Sequence, residues 1–141
     1  MALKAVRVDT WAASIEDKPG GLAAKLNTLA EAGANLEFVI ARRAPERSGT
    51  GVVFVTPIKG AAQVRAARKA GFERTESLHT VPAEGADKPG AGARIAQALA
   101  AGKGSNLRGL FAAAIGNKFV AHIAVDSSVD ATKAIGVLRG L

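Results

Sequence analysis

The sequence predicts an α+β chain built as two tandem β-α-β-β-α-β units with antiparallel sheets. Two observations carry this: a short motif that recurs at a fixed offset, and hydrophobic spacing that switches between strand and helix periods around it. Asp17-Lys18-Pro19-Gly20 returns 70 positions later as Asp87-Lys88-Pro89-Gly90. Asn35-Leu36 returns as Asn106-Leu107, and Gly71-Phe72 has an echo in Gly140-Leu141, in the same order. The repeat therefore covers nearly the whole chain of 141 residues.

In the first unit Trp11, Ala13 and Ile15 alternate with Ala12, Ser14 and Glu16, which predicts a strand with one buried face. Asp17 to Gly21 reads as a turn that opens a helix. Pro19 is expected in the first helical turn, where its missing N–H would be unpaired in any case. Leu22, Leu26 and Leu29 form the apolar stripe of that helix, and Gly33 is its stop. Strands are predicted over 35–43 and 50–57, the first with Leu36, Phe38 and Ile40 on one face, joined by a hairpin loop over 45–49. Residues 60–70 read as a helix with Val64 and Ala67 inward and Arg65, Arg68 and Lys69 outward. Gly71 closes it and an extended segment follows over 72–81. This order is the split β-α-β, or ferredoxin-like, plan.

The second unit repeats the plan with a helix over 89–101 and strands over 106–114 and 118–126. Gly116-Asn117 joins those strands as a two-residue hairpin. Ser127 and Asp130 are spaced like a capping box ahead of a last helix over 129–139. The division is placed at 1–76 and 77–141, with 72–86 as a shared or joining strand that closes the first sheet, opens the second, or does both. No residues remain for a last strand in the second unit. Its sheet is expected to expose unpaired N–H and C=O groups, and a homodimer is expected on that ground.

Apolar residues make up 48% of the chain, much of it alanine, and aromatics only 4%, so the core must be thin and closely packed. The absence of cysteine excludes disulfides and thiolate metal sites and suits a reducing compartment. The stretch from Met1 to Arg7 lacks the apolar run of a signal peptide, and nothing approaches the ~20 apolar residues of a membrane span. A soluble, cytoplasmic protein with no membrane partner is expected. The net charge of +7 favours anionic partners. The basic residues are dispersed, however, densest at Arg42, Arg43 and Arg47, and their plain reading is a solvated surface.

Catalytic chemistry has little to stand on. His79 and His122 are isolated on apparent strands, without a nucleophile in reach. Ser127 and Ser128 read as helix-cap residues. No His, Asp and Glu cluster has metal-ligand spacing. Ala101-Gly102-Lys103-Gly104-Ser105 lacks the first glycine and the preceding strand of a phosphate loop. The chain is expected not to be an enzyme and to hold no cofactor and no metal. An RNA-binding ferredoxin-like module would need stacking aromatics on its central strands, which offer only Phe54 and Phe119. Nucleic acid is accordingly the weaker alternative, beside a ligand-independent partner subunit of a metabolic enzyme.

Ile15-Glu16-Asp17-Lys18-Pro19-Gly20-Gly21-Leu22, followed by Glu31-Ala32-Gly33-Ala34-Asn35-Leu36, resembles the signature of the ACT domain family. That signature is a strand running into Asp/Asn-x-Pro-Gly-x-Leu, a helix, and Gly-x-Asn-Leu/Ile before the next strand. The whole chain is similar to small stand-alone proteins made of two ACT units. The resemblance implies a ferredoxin-like fold, units paired through sheets or helices, and a regulatory, allosteric role. It also implies a free amino acid bound at the interface between units. On this pattern the ligand contacts fall on Asp17, Pro19, Gly20, Gly21 and Leu22, with Lys18 beside them and Asn35 facing them. In the second unit they fall on Asp87, Lys88, Pro89, Gly90 and Asn106. That unit departs from the pattern: Ala91 and Gly92 replace Gly21 and Leu22, and its preceding strand carries Pro82 and Gly85.

Helix physics supports such a site independently. The first N–H groups of a helix lack intrahelical acceptors, and the helix dipole makes that end positive, so a ligand carboxylate is stabilised there. Glycine lets the ligand approach. Asp17 or Asp87 could balance an ammonium group, and the amide of Asn35 or Asn106 could donate and accept. The plainer readings stand beside these: Asp17 as an N-cap, typically contributing ~1 kcal/mol; Asn35 and Asn106 as turn residues before strands; Lys18 and Lys88 as solvated; Trp11 as core.

Overall fold

The computed structural model describes residues 3–75, 78–102 and 106–141. Its elements run β1 (Lys4–Ala5), β2 (Trp11–Glu16), α1 (Gly21–Glu31), β3 (Phe38–Arg43), β4 (Thr50–Thr56), α2 (Gly60–Lys69), β5 (Glu73–Arg74), β6 (His79–Ala86), α3 (Ala91–Ala101), β7 (Leu107–Ile115), β8 (Lys118–Val125) and α4 (Ser128–Arg139). The chain separates into two compact units, Asp9–Thr75 and Met1–Val8 with Glu76–Leu141. Residues 103–105 of the glycine-rich stretch read above lie outside the described residues. Among the described residues no helix is long and apolar enough to cross a membrane.

The unit of Asp9–Thr75 has a four-stranded antiparallel sheet in the order β3-β4-β2-β5. The alternation read from the sequence is realised: Trp11 and Ala13 are buried opposite Val55 and Val53 of β4. Leu29, Ala67 and Phe72 close the core from the helix side. At the end of α1, Gly33 N–H donates to Ala30 and Ala34 N–H to Leu29, the paired bonds that terminate a helix on a left-handed glycine. Trp11 is a core residue, 1% exposed, with the Arg74 guanidinium 5.2 Å from its ring centre.

The second unit's sheet has the order β1-β6-β8-β7. One alternative left open by the sequence is decided here, and one expectation changes. The segment after α2 both closes one sheet and opens the other, through two separate strands: β5 pairs with β2, and β6 pairs with β8. The place of the missing last strand is taken by the start of the chain, with Lys4 opposite Glu84 and Ala5 opposite Ala83. Residues 3–8 therefore pack with the second unit, and the division at 1–76 gives way at its start. Leu3 and Ala5 enter that core beside Val81, Ile95, Ile123 and Leu138. Arg139 Nε donates to the Ala5 carbonyl, while Arg7 donates to Ser128 Oγ and the Ser128 carbonyl, so α4 holds the strand from both ends. The edge on which a homodimer was expected is thus filled from within the chain.

Pro82 and Gly85 do not spoil β6, which runs for eight residues. Val6 N–H donates to the Pro82 carbonyl, which places the backbone of Pro82 toward β1. Proline has no N–H to return that bond, so the regular pairing stops after Ala5 and resumes only as the bridge Val8 to Thr80.

Candidate functional site

Both copies of the repeated motif fold into the same turn. Gly21 N–H donates to the Lys18 carbonyl at 3.1 Å, and Ala91 N–H donates to the Lys88 carbonyl at 3.1 Å. Gly20 and Gly90 hold φ of 87° and 82° with ψ near zero. Proline at the second position and glycine with positive φ at the third make these type II turns, for which Pro-Gly is the favoured pair. Pro19 and Pro89 therefore lie before the helices, not within their first turns as the sequence suggested. The turn needs its proline outside the helix so that the left-handed glycine becomes the N-cap.

Neither helix receives a side-chain cap. Past Gly21 and Ala91, the N–H groups of Leu22 and Ala23, and of Gly92 and Ala93, have no acceptor among the described residues, because Ala24 and Arg94 already begin the regular ladders on Gly20 and Gly90. In α4 of the same chain, Ser127 Oγ accepts from Asp130 N–H at 3.1 Å. Asp17 does not act as an N-cap. Its N–H bonds the Gly49 carbonyl, and its carboxylate accepts from Arg43 Nε at 2.9 Å. Lys18 pairs with Glu16 at 2.6 Å. The hydrogen bond and charge of Lys18 hold the Glu16 carboxyl below 4.5, and the same bond holds Lys18 above 10.5.

These groups border a shallow cavity of about 190 Å³ at the start of α1, lined by Ile15, Asp17, Lys18, Leu22, Arg42, Arg43 and Gly51 among others. A second depression of about 450 Å³ adjoins the same turn and is lined by Ser14, Glu16, Gly20, Gly21 and Lys25. Gly21 is required on packing grounds: a Cβ there would lie 2.3 Å from the Glu16 carbonyl oxygen.

Asn35 does not face the turn within its unit. The strand β3 ends there, with Arg43 opposite Gly51, but begins at the far end of the sheet, with Phe38 opposite Thr56. At about 3.3 Å per residue, the five steps separate Asn35 from Asp17 by more than roughly 17 Å. Asn106 likewise precedes Leu107, which sits opposite Val125 at the end remote from Asp87. The residues that border the turn are Arg42 and Arg43, read from the sequence only as part of a basic cluster. Antiparallel register brings them there, and a one-dimensional pattern carries no register between distant strands.

The two copies are not equivalent. Asp17 N–H bonds Gly49 and Asp87 N–H bonds Asn117, which aligns Gly51 with Phe119 and Arg43 with Ala114. Phe119 packs onto the second core with its ring tip 3.7 Å from where a Cβ on Gly92 would stand. An aromatic ring thus lies against the start of α3, whereas in the first unit the register-equivalent Gly51 is packed against Ile15, Leu22 stands at the helix start, and the shallow cavity lies beside them. The same packing removes Phe119 as an exposed stacking surface for RNA.

No family model matches the chain, and no curated protein matches it. Solved structures do. Protein BT0572 from Bacteroides thetaiotaomicron matches with a TM-score of 0.77 at 22% identity, over 96% of this chain and 89% of that one. The ligand-free regulatory subunit of aspartate kinase from Thermus thermophilus matches with a TM-score of 0.67 at 20% identity, over 99% and 96%. The fold is the tandem ACT-type one. E. coli aspartokinase III in complex with lysine and aspartate carries this tandem ACT-type fold in a third of its length, with a TM-score of 0.55 at 15% identity over 100% of this chain and 33% of that one.

Proposed function

We infer that this protein is a non-catalytic regulatory module that binds a small amino-acid-like ligand at the start of α1. The observation that carries this reading is the repeated left-handed glycine turn, which leaves first-turn amides uncapped beside a cavity bordered by Asp17, Lys18, Leu22 and Arg43. A ligand carboxylate at the Leu22 and Ala23 amides gains hydrogen bonds and the favourable end of the helix dipole. Asp17 and Glu16 offer carboxylates to an ammonium group, each at the cost of loosening an exposed ion pair, which is a small cost. In the second unit Phe119 lies against the corresponding helix start, so the first turn is the working site. The likeness to aspartate kinase regulatory subunits supports an amino acid as ligand and a metabolic enzyme as partner.

A thermal-shift screen of the twenty amino acids tests this. At a hundredfold excess over its dissociation constant, the ligand is expected to stabilise the protein by about 2.7 kcal/mol. Asp17→Ala should remove most of that shift while Asp87→Ala leaves it intact. A screen in which no amino acid moves the melting temperature refutes the reading.

A further inference from the structure

We propose that the outer face of α2 is a docking surface for a protein partner that presents a cluster of carboxylates. The surface stands apart from the ligand turn and does not depend on that reading; only naming the regulated enzyme as the partner does. Residues 59–74 hold Lys59, Arg65, Arg68, Lys69 and Arg74 against one acidic residue, Glu73, a net +4 of the chain's +7. Residues 9–58 of the same unit hold five basic and six acidic residues. The positive charge of the first unit is therefore concentrated on one helix and its flanks. Arg43, in the cluster that is densest in sequence, is by contrast paired with Asp17.

Helical period sets the arrangement. Val64 and Ala67 turn to the core, while Arg65, Arg68 and Lys69, at i, i+3 and i+4, share the exposed face. The helix has no acidic residue, and Lys59, Arg65, Arg68 and Lys69 form no ion pair among the described residues. Arg65 and Lys69 are like charges one turn apart, which weakens a helix. The helix dipole favours Arg68 and Lys69 in the last turn but opposes Lys59 at the N-cap. Helix stability thus does not account for charge of one sign along the whole element. Two contacts also hold the cations together. The Arg68 and Arg74 guanidinium groups lie 6.0 and 5.2 Å from the centre of the same Trp11 ring. Lys25 of α1 donates to the Ala70 carbonyl, which sets its ammonium at the same end of α2. Guanidinium groups held in place lose less freedom on binding and pair bidentately with carboxylates. The Asp9 partner of Arg74, at 3.4 Å, is an exposed pair that another carboxylate can displace. Single-stranded nucleic acid would need exposed rings for stacking, and the aromatics at this surface, Trp11 and Phe72, are buried.

A fluorescently labelled polyglutamate peptide is the probe, followed by anisotropy at about 0.1 M salt, where the Debye length is about 10 Å. The parent chain should bind it, and Arg65→Glu with Lys69→Glu should weaken binding roughly tenfold or more. Arg94→Glu with Lys133→Glu makes the same charge change at exposed positions of α3 and α4, and should alter binding less than about twofold. If the first pair unfolds α2 by circular dichroism, Arg65→Gln with Lys69→Gln takes its place and should also weaken binding. No binding by the parent chain, or equal losses in the two double variants, overturns the proposal. So does tighter binding of polyuridylate than of polyglutamate, which would make the surface one for nucleic acid.

Discussion

At the start of α1, Glu16 pairs with Lys18, Asp17 pairs with Arg43, and Gly51 is one of the residues lining a shallow cavity beside them. At the start of α3 the register-equivalent positions hold Ala86, Lys88, Asp87, Ala114 and Phe119. The backbone is the same type II turn in both, down to the left-handed glycine. The difference shows that the turn is a scaffold property of the repeat, while among the described residues the two ion pairs belong to the first copy. A structural repeat can preserve a turn without preserving a site.

Substitutions that exchange features between the two turns sharpen this comparison. The largest effect is expected at Gly21→Ala, whose Cβ would be forced to 2.3 Å from the Glu16 carbonyl oxygen. Relief requires moving the helix start, and overpacking of this kind costs about 3 kcal/mol. The reverse exchange, Ala91→Gly, loses only one buried methyl and some helix propensity, about 1 kcal/mol. Urea denaturation of the two variants measures the contrast, and equal losses would break it.

A smaller difference separates the two aspartates. Asp17→Asn removes an ion pair whose arginine is 83% exposed, so the loss is about 0.5 kcal/mol at low salt and vanishes near 1 M salt. Asp87→Asn, which has no such partner among the described residues, should be neutral. Denaturation midpoints at two salt concentrations separate these outcomes.

The smallest effect is a titration. The carboxyl of Glu16 is held below 4.5 by Lys18, so its contribution to stability is present above the unfolded value and fades as pH falls through the lower folded value. A carbon-detected titration should place its midpoint under 4.5, and Lys18→Ala should return it there. No matching signal exists in the second unit, where Ala86 stands at that position.

Much of the architecture was legible in one dimension. The recurrence of Asp-Lys-Pro-Gly announced two units, and alternation at Trp11, Ala13 and Ile15 announced the strand that leads into the first turn. Gly33 and Gly71 marked helix ends because left-handed backbone there excludes most side chains. Other features left no local trace. A two-residue strand such as β1 has no period, so nothing near Lys4 reveals that it pairs with Glu84. The pairing of Arg43 with Asp17, and the remoteness of Asn35, follow from a register set by hydrogen bonds between distant segments.

The sequence by itself determined the duplication, the element order and the Pro-Gly turns, because these depend on dihedral preferences and hydrophobic periods within a few residues. Only the tertiary structure decided which sheet takes the first strand, which charges border each turn, and that Phe119 rests against the second helix start. Those outcomes rest on contacts between residues far apart in the chain, where strand register and core packing, rather than local preference, select the partner.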